Sequence, residues 1–332
     1  MNDRAVGLLD HYDIEVLHTR KGRGAILCDT DKGCLIFKEY TGNPEKIKVQ
    51  NRLLEQVLSS ETIPVEQILK TKEENLLAED LDGKKYILKT YFESRECNIH
   101  DAEECKEAVK TLAGLHKVMC LQKEEMEAYG LSVFSLGREY EKHNKELRKV
   151  WRYLRGKSQK SFFETTLLHR YDYYLAQALE VTEDWKAFAI DADLEYIKEQ
   201  GMFCHGDYQY HNIIRTGDCF AIINFEKCLP DNPVRDLYLF MRKLLEKSNW
   251  SQKLGDSLLE AYSSVRPLSA RSFVELYYRF SYPEKFWKIV NFYFNSGKAW
   301  IPDRNCEKLD ILSGQEKEKQ AFLEAVFRTV SP

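Results

Sequence analysis

Residues 203–226 read FCHGDYQYHNIIRTGDCFAIINFE. His205-Gly206-Asp207 is followed, five positions after the aspartate, by Asn212, and the apolar stretch Ala221–Ile223 then leads into Asn224-Phe225-Glu226. These residue types suit phosphoryl transfer, which needs few protein groups: a carboxylate to orient a hydroxyl and accept its proton, and oxygen ligands to hold Mg2+ on the phosphates. An Asp and an Asn five residues apart on one tight loop place a base, Asp207, beside a metal ligand, Asn212. A further ligand at the end of the following strand, Asn224, completes a set of the hard oxygen donors that Mg2+ prefers. His-Gly-Asp alone is only three residues and carries little. The whole spacing, with its apolar strand and Asn-Phe-Glu ending, is far more specific than an accidental loop. His205 reads as a core residue that braces the loop rather than as a catalyst. With no cysteine or histidine cluster beside it, the His205/His211 pair does not read as a zinc site.

A loop of this kind needs a frame. Residues 1–94 read as strands around one helix: Asp13–Leu17, Ala25–Asp29 and Cys34–Tyr40 are short apolar stretches separated by Gly22, Gly24 and an Asp31-Lys32-Gly33 turn. Pro44 to about Ser59 is helical, with Ile47, Leu54 and Leu58 on one face, and Glu66–Lys70 and Lys85–Phe92 return to strand character. Beyond a short hinge near residues 93–97 the pattern is helical: Asp101–Cys120, a very charged stretch from Leu136 to Leu154, then 161–180, 234–247, 251–264, 270–280 and 315–328. The expected fold is α+β in two lobes: a five-stranded antiparallel sheet with one helix over residues 1–94, and a helical lobe over 95–332 that carries the loop.

Composition narrows the partners. Forty-nine Lys and Arg against 53 acidic residues leave a net charge of −4, so no bulk basic field points to nucleic acid or an anionic membrane. Arg148, Lys149, Arg152, Arg155, Lys157 and Lys160 form a local basic run, but Glu139, Glu141 and Glu146 precede it, the pattern of a solvated helix face rather than a polyanion patch. No apolar run approaches the roughly 20 residues of a membrane helix, and no signal peptide is expected from the first residues. Nine cysteines without a CxxC pair suit reduced thiols made in a cytosol. Phe162, Phe163, Tyr171, Tyr173, Tyr174, Trp287 and Tyr293 read as helix-packing aromatics.

The loop resembles that of the aminoglycoside phosphotransferase and choline kinase superfamily, which uses HGDxxxxN followed by IDFE or IDxD. More narrowly the chain resembles the CotS-type spore-coat proteins. The features are Ser94-Arg95-Glu96-Cys97, Leu112-Ala113-Gly114-Leu115-His116, the helix Tyr140–Leu147, Pro233-Val234-Arg235-Asp236-Leu237, Ser281-Tyr282-Pro283 and Trp300-Ile301-Pro302. The resemblance implies a two-lobed protein-kinase-like fold, with ATP and Mg2+ as cofactors and a small-molecule hydroxyl as acceptor. Asp207 is then the catalytic base and Asn212 a metal ligand, and Asp236 fixes the catalytic loop through its backbone. Lys38, in CLIFKEY, corresponds to the strand lysine that steadies the nucleotide phosphates, the alternative being an exposed strand lysine. Lys89, in KYILKTY, lies just before the hinge and ranks second. The helix carboxylate expected to pair with Lys38 is Glu55, with Glu45 the alternative. Arg20–Gly24 occupies the place of a glycine-rich phosphate loop without matching GxGxxG. Gly206 stands where an Arg would read activation-loop phosphorylation, so no phospho-switch is expected.

The departure is Asn224, where the superfamily has Asp. An amide keeps one carbonyl oxygen but removes a full negative charge from a Mg2+ site, weakening metal binding and transition-state stabilisation. Glu226, taken as lying on the same strand face two residues on, is the candidate to replace that charge. Two readings follow: a spore-coat protein, made in the cytoplasm, that keeps the fold as a nucleotide-binding or interaction module with catalysis weak or lost, or an active ATP-dependent small-molecule kinase.

Overall fold

The computed structural model describes residues 3–22, 24–188, 192–295 and 302–328. Arg23 of the glycine-containing turn and Trp300-Ile301 of the C-terminal motif lie outside the described residues.

After a 3-10 segment at Asp3–His11, strands β1 (Val16–Gly22), β2 (Ala25–Thr30) and β3 (Gly33–Glu39) form an antiparallel meander. Gly33 closes the second hairpin at φ 94°, a backbone region open to glycine and strained for most other residues. Helix α1 (Pro44–Ser59) follows. Asn43 caps it, its side chain accepting from the Glu45 N–H, and Pro44 sits in the first turn where no N–H is needed. Strands β4 (Ile68–Leu69), β5 (Ala78–Glu79) and β6 (Lys85–Thr90) complete the sheet in the order β1-β2-β3-β6-β4, with β5 also paired to β6. Among the described residues it has six strands rather than five, because the chain turns at Thr71–Asn75 (Thr71 N to Asn75 O, 2.8 Å) and makes two short strands instead of one.

Period-two alternation gives the sheet two apolar faces. Leu35 and Phe37, with Ile26, Cys28, Tyr86 and Leu88, pack beneath Leu8, Leu9 and Tyr12. The opposite face carries Ile36 and Lys38 on β3 and their cross-strand partners Lys89 and Ile87 on β6. It meets the main core, which runs from Leu53, Leu54 and Val57 of α1 through Ile87 into the helical part.

That part comprises α2 (Ala102–Val118), α3 (Lys123–Ala128), α4 (Leu136–Gly156), α5 (Phe162–Phe188) and α6 (Ala192–Glu199). Next come the short strands β7 (Phe203–Cys204), β8 (Ile213–Thr216), β9 (Cys219–Ile222) and β10 (Leu229–Pro230). Then follow α7 (Val234–Lys247), α8 (Gln252–Val265), α9 (Ala270–Ser281), α10 (Glu284–Asn295), α11 (Pro302–Gly314) and α12 (Glu316–Val326). A second core joins α4, α5 and α10 through Leu147, Tyr171, Tyr174 and Phe286. Trp287 stacks on His143 at 3.5 Å between ring centroids, and Tyr293 packs on Phe163. Phe162 and Tyr173, by contrast, are exposed. The chain is thus an N-terminal antiparallel sheet with one helix and a larger helical part. No helix among the described residues is long and apolar enough to cross a membrane.

The hairpin β8–β9 is sewn to the N-terminal part on both sides. Ile222 N donates to Pro64 O (3.0 Å) and Glu66 N to Ile222 O (3.2 Å). On the other strand, Cys97 N donates to Ile213 O and Arg215 N to Arg95 O, each at 2.8 Å.

Candidate active site

The loop between β7 and β8 takes its shape from one buried carboxylate. Asp236, in the first turn of α7, is fully buried. It accepts from His205 N (2.6 Å), Gly206 N (2.8 Å) and His116 Nε2 (3.1 Å). Burial alone would raise its pKa, but these donors outweigh it and hold the group below the usual carboxylate value. Burial lowers the pKa of His116, whose Nδ1 meets the Tyr262 hydroxyl at 2.8 Å. The His205 ring ties the loop to the next strand, with Nδ1 accepting from Asp207 N (3.2 Å) and Nε2 facing Ile223 O (2.9 Å). Gly206 has φ 79°, and a Cβ there would lie 2.1 Å from Lys227 O, so the loop and the turn after β9 touch backbone to backbone.

Asp207 points away from this support. Its Oδ1 accepts from Gln209 Nε2 (2.7 Å) and its Oδ2 from Lys227 Nζ (2.8 Å). Partial burial raises its pKa, but Lys227 more than compensates and leaves it lowered.

The amides form one directed chain. Asn212 Nδ2 donates to Asp207 O (2.8 Å), Asn224 Nδ2 donates to Asn212 Oδ1 (2.9 Å), and Lys89 Nζ faces Asn224 Oδ1 at 3.4 Å. A carbonyl that only accepts stands at one end and an ammonium that only donates at the other, so both amide orientations follow from the network. Asn224 itself is left-handed (φ 65°, ψ 60°), a conformation asparagine tolerates.

Lys89 is the buried centre of the site, its side chain 1% exposed. Its Nζ lies 2.6 Å from Glu66 Oε2 and 2.9 Å from Glu226 Oε1. Burial pulls its pKa down, but the two carboxylates raise it beyond the ordinary lysine value. Glu66 uses its other oxygen to accept from Phe225 N (3.1 Å). Lys38 Nζ reaches Glu226 Oε1 at 2.6 Å, and its side chain is 26% exposed. Burial raises the Glu226 pKa, yet Lys89 and Lys38 bring it down to about 2.

Two expectations change. Glu55 does not pair with Lys38: helical phase places it opposite the buried Leu53, Leu54 and Val57, where Asn51 Nδ2 donates to it and it lines a cavity of about 800 Å3 shared with Lys70 and Glu74. Glu45, the alternative, binds Lys48 at the surface. Glu226 does not share a strand face with Asn224, because Phe225–Lys227 is a 3-10 turn that swings its carboxylate to the two lysines. Glu66 was not anticipated, and Lys89 outranks its sequence-based standing. The signal was a carboxylate just before the apolar strand β4 and an ammonium inside the apolar strand β6, groups that burial forces to find each other.

Mg2+ does not fit this donor set. Asn212 Oδ1 is taken by an N–H, Glu226 Oε1 by the ammonium groups of Lys38 and Lys89, and Asn224 Oδ1 also faces Lys89. Lys38, Lys89 and Lys227 balance Glu66, Glu226 and Asp207, so these six groups have no surplus negative charge to attract a divalent ion.

A family model described as "Spore coat putative kinase YutH" matches residues 6–326. No curated protein matches the sequence significantly. Solved structures share the fold at low identity. An aminoglycoside phosphotransferase from Alicyclobacillus acidocaldarius is 19% identical, with a TM-score of 0.81 over 98% of this chain and 96% of that one. Spectinomycin phosphotransferase APH(9)-Ia in its AMP-bound complex is 15% identical, with a TM-score of 0.65 over 98% of each chain. Amicoumacin kinase hAmiN, in complex with AMP-PNP, Ca2+ and Ami, is 11% identical, with a TM-score of 0.58 over 98% of this chain and 94% of that one.

Proposed function

Because the chain belongs to the spore-coat kinase family YutH, we propose that it is a coat-associated protein that keeps a phosphotransferase cleft for a nucleotide and has weak or no phosphoryl-transfer activity. One observation carries this reading: Asn224 Nδ2 donates to Asn212 Oδ1 across 2.9 Å. Two oxygen ligands facing each other need a cation between them, whereas an N–H facing an oxygen needs none. The amide at 224 therefore closes with a hydrogen bond the place where a carboxylate would open a metal site. Lys38, on the inner face of β3 and partly exposed, is the group that engages a nucleotide phosphate. The nucleotide complexes of two fold relatives agree with ligand binding in such a cleft.

The test is a pair of measurements on the full chain: thermal shift with ATP, and release of ADP in the presence of Mg2+. A shift with no ADP above background is expected. Turnover at rates of the order of 1 per second, ordinary for a kinase, overturns the loss of catalysis. Coat association is tested by detecting the chain in coat extracts of purified spores, and its confinement to the spore interior would refute it.

A second reading rests on Asp207 and Asn212, which keep the spacing of a catalytic pair and meet through Asn212 Nδ2 and Asp207 O. It makes the chain an active kinase for a small-molecule hydroxyl, and the same turnover measurement decides between the two.

A further inference from the structure

Lys89 raises a question the fold alone does not answer: why an ammonium is buried where the strand could be apolar. Its Nζ is surrounded by three oxygens from two segments far apart in the chain: Glu66 Oε2 after α1, and Glu226 Oε1 and Asn224 Oδ1 from the turn after β9. An oxygen shell assembled from distant segments is what a bound cation has, and here the cation is part of the chain.

We propose that the Lys89 ammonium is the resident cation of this site, so that the cleft binds a nucleoside polyphosphate free of divalent metal. The inference rests on the nucleotide reading above and adds the ionic form of the ligand. Three observations support it. The six charged groups of the site already balance, and a divalent ion on Asn224 Oδ1 would sit against an ammonium that cannot withdraw, since its side chain is 1% exposed. Lys38 and Lys89 share a single oxygen, Glu226 Oε1. When Lys38 swings to a phosphate, Lys89 stays hydrogen-bonded to Glu226 Oε1, so that oxygen keeps a cationic donor. Glu66 holds Lys89 in place and also accepts from Phe225 N, which fixes the turn carrying Glu226. Lys38 is thus free to move, and Lys89 is not.

The experiment is calorimetric titration of ATP into the full chain, once in EDTA and once in excess MgCl2. Binding in EDTA that is at least as tight as in Mg2+ is expected, because uncomplexed ATP presents more negative charge to Lys38. Binding that appears only with Mg2+, or tightens about tenfold or more with it, overturns this inference and leaves the nucleotide reading standing. No binding under either condition overturns both. The double variant Glu66→Gln/Lys89→Met removes the ammonium together with its most buried partner, so neither is left unpaired. Its affinity for ATP in EDTA should fall about tenfold or more, and unchanged metal-free binding overturns the role of Lys89. If that variant does not give a cooperative thermal transition, the wild-type titrations decide by themselves.

Discussion

Asn224 Nδ2 and Asn212 Oδ1 are hydrogen-bonded at 2.9 Å, and that contact makes metal sensitivity a property of one side chain. Asn224→Asp replaces the N–H by an oxygen of nearly the same size and gives the site a surplus negative charge. Mg2+ should then raise the melting temperature of the variant while leaving the wild type within error, because only a state that binds the ion is stabilised by it. Calorimetry should show Mg2+·ATP binding more tightly to the variant than to the wild type. Equal response of both proteins to Mg2+ would mean that the amide is not what closes the site.

Asp236 accepts from three donors, two of them the backbone N–H groups of His205 and Gly206. Asp236→Ala leaves all three unsatisfied and should destabilise the fold by about 3 kcal/mol, with Asp236→Asn intermediate. Asp207→Ala, whose partners Gln209 and Lys227 can turn to water, should change stability by less than about 1 kcal/mol. Urea denaturation of the three variants reads this directly, and equal small losses would refute the bracing role of Asp236.

Acid should weaken the fold through Glu226. Its folded pKa of about 2 lies below the ordinary 4.5, so the ionised form favours the folded state. The contribution is complete above 4.5 and is lost as pH falls from there toward 2, by on the order of 3 kcal/mol if the whole shift is felt. Glu226→Gln should flatten this part of the stability–pH curve. A variant that loses stability as steeply as the wild type over that interval would exclude Glu226 as the titrating group.

Gly206→Ala tests the backbone contact between the loop and the turn after β9. With φ at 79° and the added carbon 2.1 Å from Lys227 O, one of the two segments must move. A loss of about 3 kcal/mol or more is expected, together with weaker ATP binding, because Lys227 and Glu226 share that turn. Near-wild-type stability in denaturant titration would show that the segments separate easily.

The sequence exposed the loop and the sheet because both announce themselves locally. His205, Asp207, Asn212 and Asn224 lie within twenty residues, and the alternation of Leu35 to Lys38 fixes two sheet faces without reference to anything distant. The partner of Lys38 was not legible. Glu55 had the right type and rough spacing, but helical phase turned it outward, and whether a residue lies one face over is decided by packing. Glu66 and Lys89 are 23 residues apart and meet only once β4 and β6 pair, Ile68 opposite Lys89. Glu226 needed the left-handed Asn224 to be seen, since that one backbone angle converts an expected strand into a turn.

The backbone bonds from Pro64 and Glu66 to Ile222, and from Arg95 and Cys97 to the other strand of the same hairpin, have a consequence for how the molecule breathes. Lys89 and Asn224 belong to segments whose amides are tied into one ladder, so their separation cannot be adjusted by a rigid swing of the N-terminal part. Slow hydrogen exchange should therefore group the amides of β6, β9 and the buried face of α1 into one cooperative unit with α2, rather than dividing at the linker. On the proposed nucleotide reading, a ligand enters by motion of side chains such as Lys38 and of the outer β1–β2 hairpin, whose first strand is largely exposed. The cleft is then a preset socket, with its charges matched before any ligand arrives.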